Sequence, residues 1–143
     1  MPSPVASGRA ASAEPADVLV LDSGGFSKLS SRTRSALAMI GALRAAGLWP
    51  AVVPTVVLVE SLRGDPGRDA NANRFLKTCI VDDEVSSVVA RRAAELRRRA
   101  RTGSAVDALV VAIAEPGGTV LTGDRADLEA LAAHAHDVTI EVI

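Results

Sequence analysis

The stretch VLVLDSGG, Val18 to Gly25, decides how the rest of the chain is read. Four apolar residues, two of them β-branched, end on the carboxylate of Asp22 and then on residues that break regular structure. An ordinary strand end places a turn-forming Asp there. A ligand-binding open parallel sheet does the same, because its ligands settle outside the carboxyl ends of the strands. The two readings differ in which other residues share that edge.

The composition narrows the choice. A chain of 143 residues fits one domain able to bury a core without staples. Its apolar content comes almost wholly from Ala, Val and Leu, with no Tyr, one Trp (Trp49) and two Phe (Phe26, Phe75). Single-strand binding on a platform of stacked aromatic rings is therefore disfavoured. A net charge of −1 announces no global basic field. Cys79 is the sole cysteine, so neither an internal disulfide nor a cysteine-based zinc site can form, and its setting in TCIV reads as a structural thiol. The opening PSPVASGRAASAEPAD has no continuous apolar core and does not read as a signal peptide, and no apolar run reaches membrane-spanning length. A cytoplasmic protein without a membrane association is expected.

Residues 1–16 read as a flexible tail and residues 17–143 as one domain. Short apolar segments are expected as strands at 18–21, 51–53, 78–81, 119–121 and 138–142. Helices are expected at 33–46, from Thr55 as N-cap, at 71–76, 83–101, from Ser104 to the Pro116-Gly117-Gly118 stop, and at 125–133. Inward faces are assigned to Leu37, Ile40 and Leu43, then to Val56, Val59 and Leu62, then to Val85, Val88, Val89 and Leu96. Strands alternating with helices predict an α/β fold in three layers, α/β/α, with a central, mainly parallel sheet.

On this layout four acids fall at one edge. Asp22 ends the first strand, Glu60 lies in the helix after the second, Asp107 opens the helix begun by Ser104, and Asp124 follows the strand in TVLTGD. Carboxylates brought together resist ionisation unless a cation neutralises them. An all-oxygen donor set without companion His or Cys points to Mg²⁺ or Mn²⁺, which suits attack of water on a phosphodiester. Each acid also has a structural reading. Asp22 is a turn residue, Glu60 a solvated helix residue, Asp107 the last member of an S-x-x-D capping box, and Asp124 an N-cap with Asp127 reciprocating. The company of Asp107 resists the structural reading, since ALVVAIA makes its helix apolar nearly all round and an acid at the head of a buried helix needs a partner.

VLVLDSGG, TVVLVESLRG, SAVDALVVAIAEPGGTVLTGD and the terminal DVTIEVI, in this order and spacing, resemble the PIN-domain ribonucleases, in particular the toxins of VapBC-type toxin–antitoxin pairs. The resemblance runs from about residue 17 to the end. It implies a central parallel sheet flanked by helices and Mg²⁺- or Mn²⁺-dependent cleavage of RNA. It also implies a cognate antitoxin and a homodimer. It assigns catalysis to Asp22, Glu60, Asp107 and Asp124, with Asp22, Asp107 and Asp124 on the metal, and supporting roles to Ser23, Thr122 and Asp127. Gly24-Gly25 departs from the family's commoner small or apolar residues and reads as a tight, uncrowded exit beside the metal.

The run ARRAAELRRRAR, residues 90–101, is either a solvated helix face or a contact surface. Arg97, Arg98 and Arg101 are its candidate RNA contacts, with docking of a partner equally open. His134 and His136 read as caps or surface residues, and Lys28 and Arg63 as guesses at phosphate contacts. Two further readings stand beside the toxin: a PIN-like module that binds RNA or a partner without cleaving, and a housekeeping RNA-processing nuclease. A phospho-receiver domain fits poorly, because it wants paired acids at the first strand and a Lys after the last strands.

Overall fold

The computed structural model describes residues 17–143, and the expected tail over 1–16 lies outside them. Five parallel strands form one sheet: β1 (Leu19–Leu21), β2 (Val52–Pro54), β3 (Ile80–Asp82), β4 (Thr119–Thr122) and β5 (Thr139–Val142). Their order is β3-β2-β1-β4-β5, with Val20 opposite both Val52 and Val120. Seven helices connect or follow them among the described residues: α1 (Ser23–Leu29), α2 (Arg34–Ala45), α3 (Thr55–Ser61), α4 (Ala70–Leu76), α5 (Ser87–Ala100), α6 (Ala105–Ala114) and α7 (Ala126–Ala132).

The strand order places the helices. Crossovers between parallel strands are right-handed, so the chain moving outward from β1 through β2 to β3 lays α1 to α4 on one face. The return past β1 to β4 and β5 reverses direction and lays α5 to α7 on the other face. The contacts agree, with α1 against α2 and α3, and α5, α6 and α7 against one another. The fold is the expected α/β type in three layers. Its direction reverses between β1 and β4, the crevice where such sheets hold ligands.

β1 is fully buried because both faces are covered, and its Val and Leu side chains suit a strand without a wet side. α6 fills the layer beneath with Ala108, Val110, Val111, Ala112 and Ala114. Phe26, on α1, meets Phe75 of α4 edge-on at 5.5 Å, and Trp49 meets the same ring at 5.9 Å.

Several phases differ from the sequence reading. α3 buries Val57 and leaves Val59 84 % exposed. Its residues VVLV are apolar on every side and so do not reveal which one faces inward. Thr55 is the first helical residue, not the cap; Pro54 occupies the N-cap position and makes no side-chain cap bond. α5 starts only at Ser87, capped by the Ser86 hydroxyl, so Val85 precedes the helix and Val88 is exposed, while Ala93 and Leu96 face the core. On α2, Leu37 is exposed and Ala36 is buried instead.

Candidate active site

Asp22 is positioned by the sheet and by the helix that follows it. β1 ends at Leu21, and the Asp22 amide still donates to the Leu121 carbonyl of β4 at 3.3 Å. Asp22 is the N-cap of α1, with its Oδ1 accepting from the Gly25 amide at 2.7 Å. Its Oδ2 accepts from the Thr122 hydroxyl at 2.5 Å. Thr122 ends β4, is fully buried, and in turn accepts from the Asp124 amide at 3.0 Å. Its Oγ1 also lies 2.9 Å from the Asp124 carbonyl, but the hydroxyl has one proton to give and the carboxylate is the stronger acceptor. The capping role and the role at the strand end thus coexist, each on its own carboxylate oxygen.

The glycine pair is crowded, not an open exit. Gly24 and Gly25 form the first turn of α1, which lies directly on the end of β4. A Cβ on Gly25 would fall 2.2 Å from the Leu121 carbonyl oxygen, and one on Gly24 would fall 2.8 Å from the Gly123 nitrogen. Only residues without a side chain let the helix start this close to the neighbouring strand, and that closeness presents the Gly25 amide to Asp22.

A cleft of about 400 Å³ opens at this edge, and Asp22, Asp107, Thr122, Asp124 and Asp127 line it together with Ser23. Asp107 completes the capping box foreseen from S-x-x-D, with its amide donating to the Ser104 hydroxyl at 3.0 Å and its Oδ2 accepting from the Ser104 amide at 3.2 Å. It is half-buried even though the helix behind it is buried. Asp124 is exposed and accepts from the Ala126 amide at 3.2 Å, steadying the start of α7. The N-cap position of α7 is Arg125, which makes no side-chain cap bond, so Asp124 is not the expected cap and Asp127 does not reciprocate one. It accepts from the Thr102 hydroxyl at 2.7 Å, which ties α7 to the loop after α5. Glu60 is exposed on α3 and does not line the cleft.

The charge in this cleft is under-compensated. Burial pushes the Asp22 carboxyl above its ordinary value, the Thr122 hydroxyl and the Gly25 amide pull it back, and the charge of Asp107 adds to the rise. No ion pair among the described residues involves Asp22, Asp107, Asp124 or Asp127. No three His, Cys, Asp or Glu side chains among the described residues are grouped as one shared ion would need, so Asp22, Asp107 and Asp124 line one cleft without closing on a common point. The pair of Asp22 and Asp107 still matches a hydrated Mg²⁺, which commonly takes one or two protein carboxylates and completes its shell with water and substrate phosphates. A cation beside them would offset the two causes that push Asp22 up.

Residues absent from the sequence reading complete the geometry. The Gly123 backbone lies against Gly24 of α1, in a contact that a side chain at 123 would meet at ordinary van der Waals distance, and Thr102 anchors Asp127 with no sequence cue at all. Of the other candidates, Lys28 donates its Nζ to the Ile143 carbonyl at 2.9 Å, and the backbone amide of His136 donates to Glu115 at 2.7 Å. Cys79 is half-buried, and burial raises its thiol pKa, as suits an inert thiol. No helix among the described residues is long and apolar enough to cross a membrane.

No model of a known protein family matches this chain, and no curated protein matches it either.

Proposed function

We propose that the protein is a Mg²⁺- or Mn²⁺-dependent endoribonuclease that acts as the toxin of a type II toxin–antitoxin pair. One observation carries the reading: a buried carboxylate, Asp22, stands at the point where the parallel sheet reverses direction and shares an open polar cleft with a second carboxylate that has no ion-pair partner among the described residues, Asp107. The order of the acid-bearing motifs along the chain, and their likeness to PIN-domain toxins, supports the narrower assignment to RNA.

Asp22 and Asp107 would hold the ion, which when bound supplies a positive charge for the phosphate oxygens and a more acidic water. The chain's own groups prepare that site. The Gly25 amide and the Thr122 hydroxyl fix both oxygens of Asp22, so the carboxylate cannot rotate away from the cleft. The same two donors favour its ionised form against the desolvation that opposes it. Asp124, exposed beside Thr122, is free to orient water at the wall of the cleft. Glu60 does not line the cleft, so this mechanism assigns it no step.

The test is cleavage of RNA by the purified chain. Hydrolysis is expected with Mg²⁺ or Mn²⁺ and is expected to stop on addition of a chelator, whereas undiminished cleavage in chelator would overturn the mechanism. Induced expression is expected to arrest growth and co-expression of the adjoining small reading frame to relieve it. Cleavage without growth arrest would instead assign a housekeeping nuclease.

A further inference from the structure

The arginines of α5 divide into two sets. Arg92 is committed, with Nε and Nη2 forming a fork to both oxygens of Glu115 at 2.9 and 2.8 Å and Nη1 on Glu95 at 2.9 Å. Arg99 pairs with Glu95 at 3.2 Å. Arg91, Arg97, Arg98 and Arg101 have no acidic partner among the described residues, and the last three line one open groove of about 430 Å³ with Thr102 and Gly103, Arg97 donating its Nε to the Gly103 carbonyl at 3.2 Å. The carboxyl end of a helix favours cations and accounts for one or two of them. It does not account for Arg101, which ends α5 in the left-handed conformation at φ 58°, where a glycine would avoid a cost of about 1 kcal/mol.

The groove is built onto the acidic cleft. Gly103, at φ 93°, lies against Leu131 of α7, where a Cβ would fall 2.7 Å from the Leu131 side chain. The next link is the Thr102 hydroxyl on Asp127. Thr102 belongs to the basic groove and Asp127 to the acidic cleft, so one hydrogen bond forms the wall between them.

We infer that Arg97, Arg98 and Arg101 form a phosphate-binding subsite that holds the backbone of a single-stranded RNA whose neighbouring phosphate enters the Asp22–Asp107 cleft. This rests on the nuclease reading for the identity of the substrate. The groove has no aromatic side chain on which a base would stack, so it grips the backbone and is blind to sequence.

The test reads binding without turnover: fluorescence anisotropy of labelled U-rich and A-rich single-stranded RNA oligomers on the Asp22→Asn chain in chelator. The combined variant Arg97→Gln, Arg98→Gln, Arg101→Gln is expected to bind both oligomers about tenfold or more weakly, with the salt dependence of log K shallower by roughly 2. Arg98→Gln alone removes no hydrogen bond of the fold and is expected to give a smaller loss in the same direction. Arg34→Gln, on the opposite face of the sheet, is expected to leave affinity unchanged. Unchanged affinity and slope in the combined variant, or no RNA binding by the parent chain, would overturn the subsite. Tighter binding of polyglutamate than of RNA would reassign the groove to an acidic protein partner and overturn it as well. A chain that binds through these arginines yet cleaves nothing overturns the nuclease reading alone, and one that cleaves while the variant binds normally overturns the subsite alone.

Discussion

Two aspartates are buried among the described residues, Asp22 at 8 % and Asp69 at 5 % exposure, and they are held in opposite ways. Asp69 closes the loop before α4. Its carboxylate accepts from the Arg63 amide at 2.9 Å, from Gly64 at 2.9 Å and from Asp65 at 3.3 Å. Those amides, led by that of Arg63, hold its carboxyl below the ordinary value. Asp22 receives one amide at close range and one hydroxyl, faces the charge of Asp107, and is pushed up. A carboxylate kept for structure is surrounded by donors until it is content to be charged. The carboxylate that we propose for chemistry is left short of them, so that something else completes its environment.

The contrast breaks first on activity. Asp22→Asn and Asp107→Asn are each expected to lower RNA hydrolysis by about 10³-fold while the circular dichroism spectrum stays that of the parent. Asp69→Asn is expected to cleave at the parental rate at a temperature where it is folded. Loss of activity in Asp69→Asn, or its survival in both cleft variants, would erase the distinction.

The second prediction concerns the support that Asp22 has and Asp69 lacks. Gly25→Ala sets a Cβ against the Leu121 carbonyl at 2.2 Å, so α1 has to move off β4. A destabilisation of about 3 kcal/mol or more in urea unfolding is expected. Gly41→Ala, in open space on α2, is expected to stabilise by about 0.5 to 1 kcal/mol. Equal effects from the two would mean that the first turn of α1 is not held against the sheet.

These two regions were unequally legible. Asp22 could be picked out from VLVLDSGG because an apolar run stopping on an acid is a local pattern, and parallel topology supplies the edge. The reason for Gly24-Gly25 was hidden, since it lies in a contact with Leu121 and Gly123 on another strand. Asp69 carries no such signal: its partners are backbone amides, which every residue type carries, so no side-chain pattern announces them. The order of the strands and of six helices is readable from their alternation, but α1 is not, because Ser23-Gly24-Gly25 reads as a break and its start is fixed by contact with β4. The facing of Val59, Val88 and Leu37 is not readable either. In short helices rich in Val, Ala and Leu, apolar residues occupy every side and the period that assigns a face is lost.

Opposite titration makes the third test, read as thermal midpoint against pH. Asp69 has a folded value below its ordinary 3.8, so its contribution is present above that value and is lost as pH falls through the folded one. Asp22 has a folded value above 3.8, so its contribution is fully present below 3.8 and is lost as pH rises through the folded one. Asp69→Asn is therefore expected to melt lower than the parent at neutral pH, with the gap closing in acid. Asp22→Asn is expected to melt higher at neutral pH, with that gap also closing in acid. Gaps of the same sign would show that the two carboxylates are compensated alike.

The smallest expected effect isolates the one donor that Asp22 shares with no structural acid. Thr122→Val keeps the shape of the side chain and removes the hydroxyl that donates to Oδ2. Because that bond lowers the pKa of Asp22, its loss leaves burial and Asp107 less opposed, and the carboxyl titrates higher still. Activity is expected to fall about tenfold at neutral pH, and the acidic limb of the rate profile is expected to move to higher pH. Thr122→Ser returns the hydroxyl and is expected to bring the limb back. A merely structural Thr122 would lower the rate by the same factor at every pH, because lost packing does not depend on the ionisation of Asp22. A limb that stays in place in Thr122→Val would therefore confine this residue to the core and leave the backbone amides, led by that of Gly25, as the donors that oppose burial and Asp107.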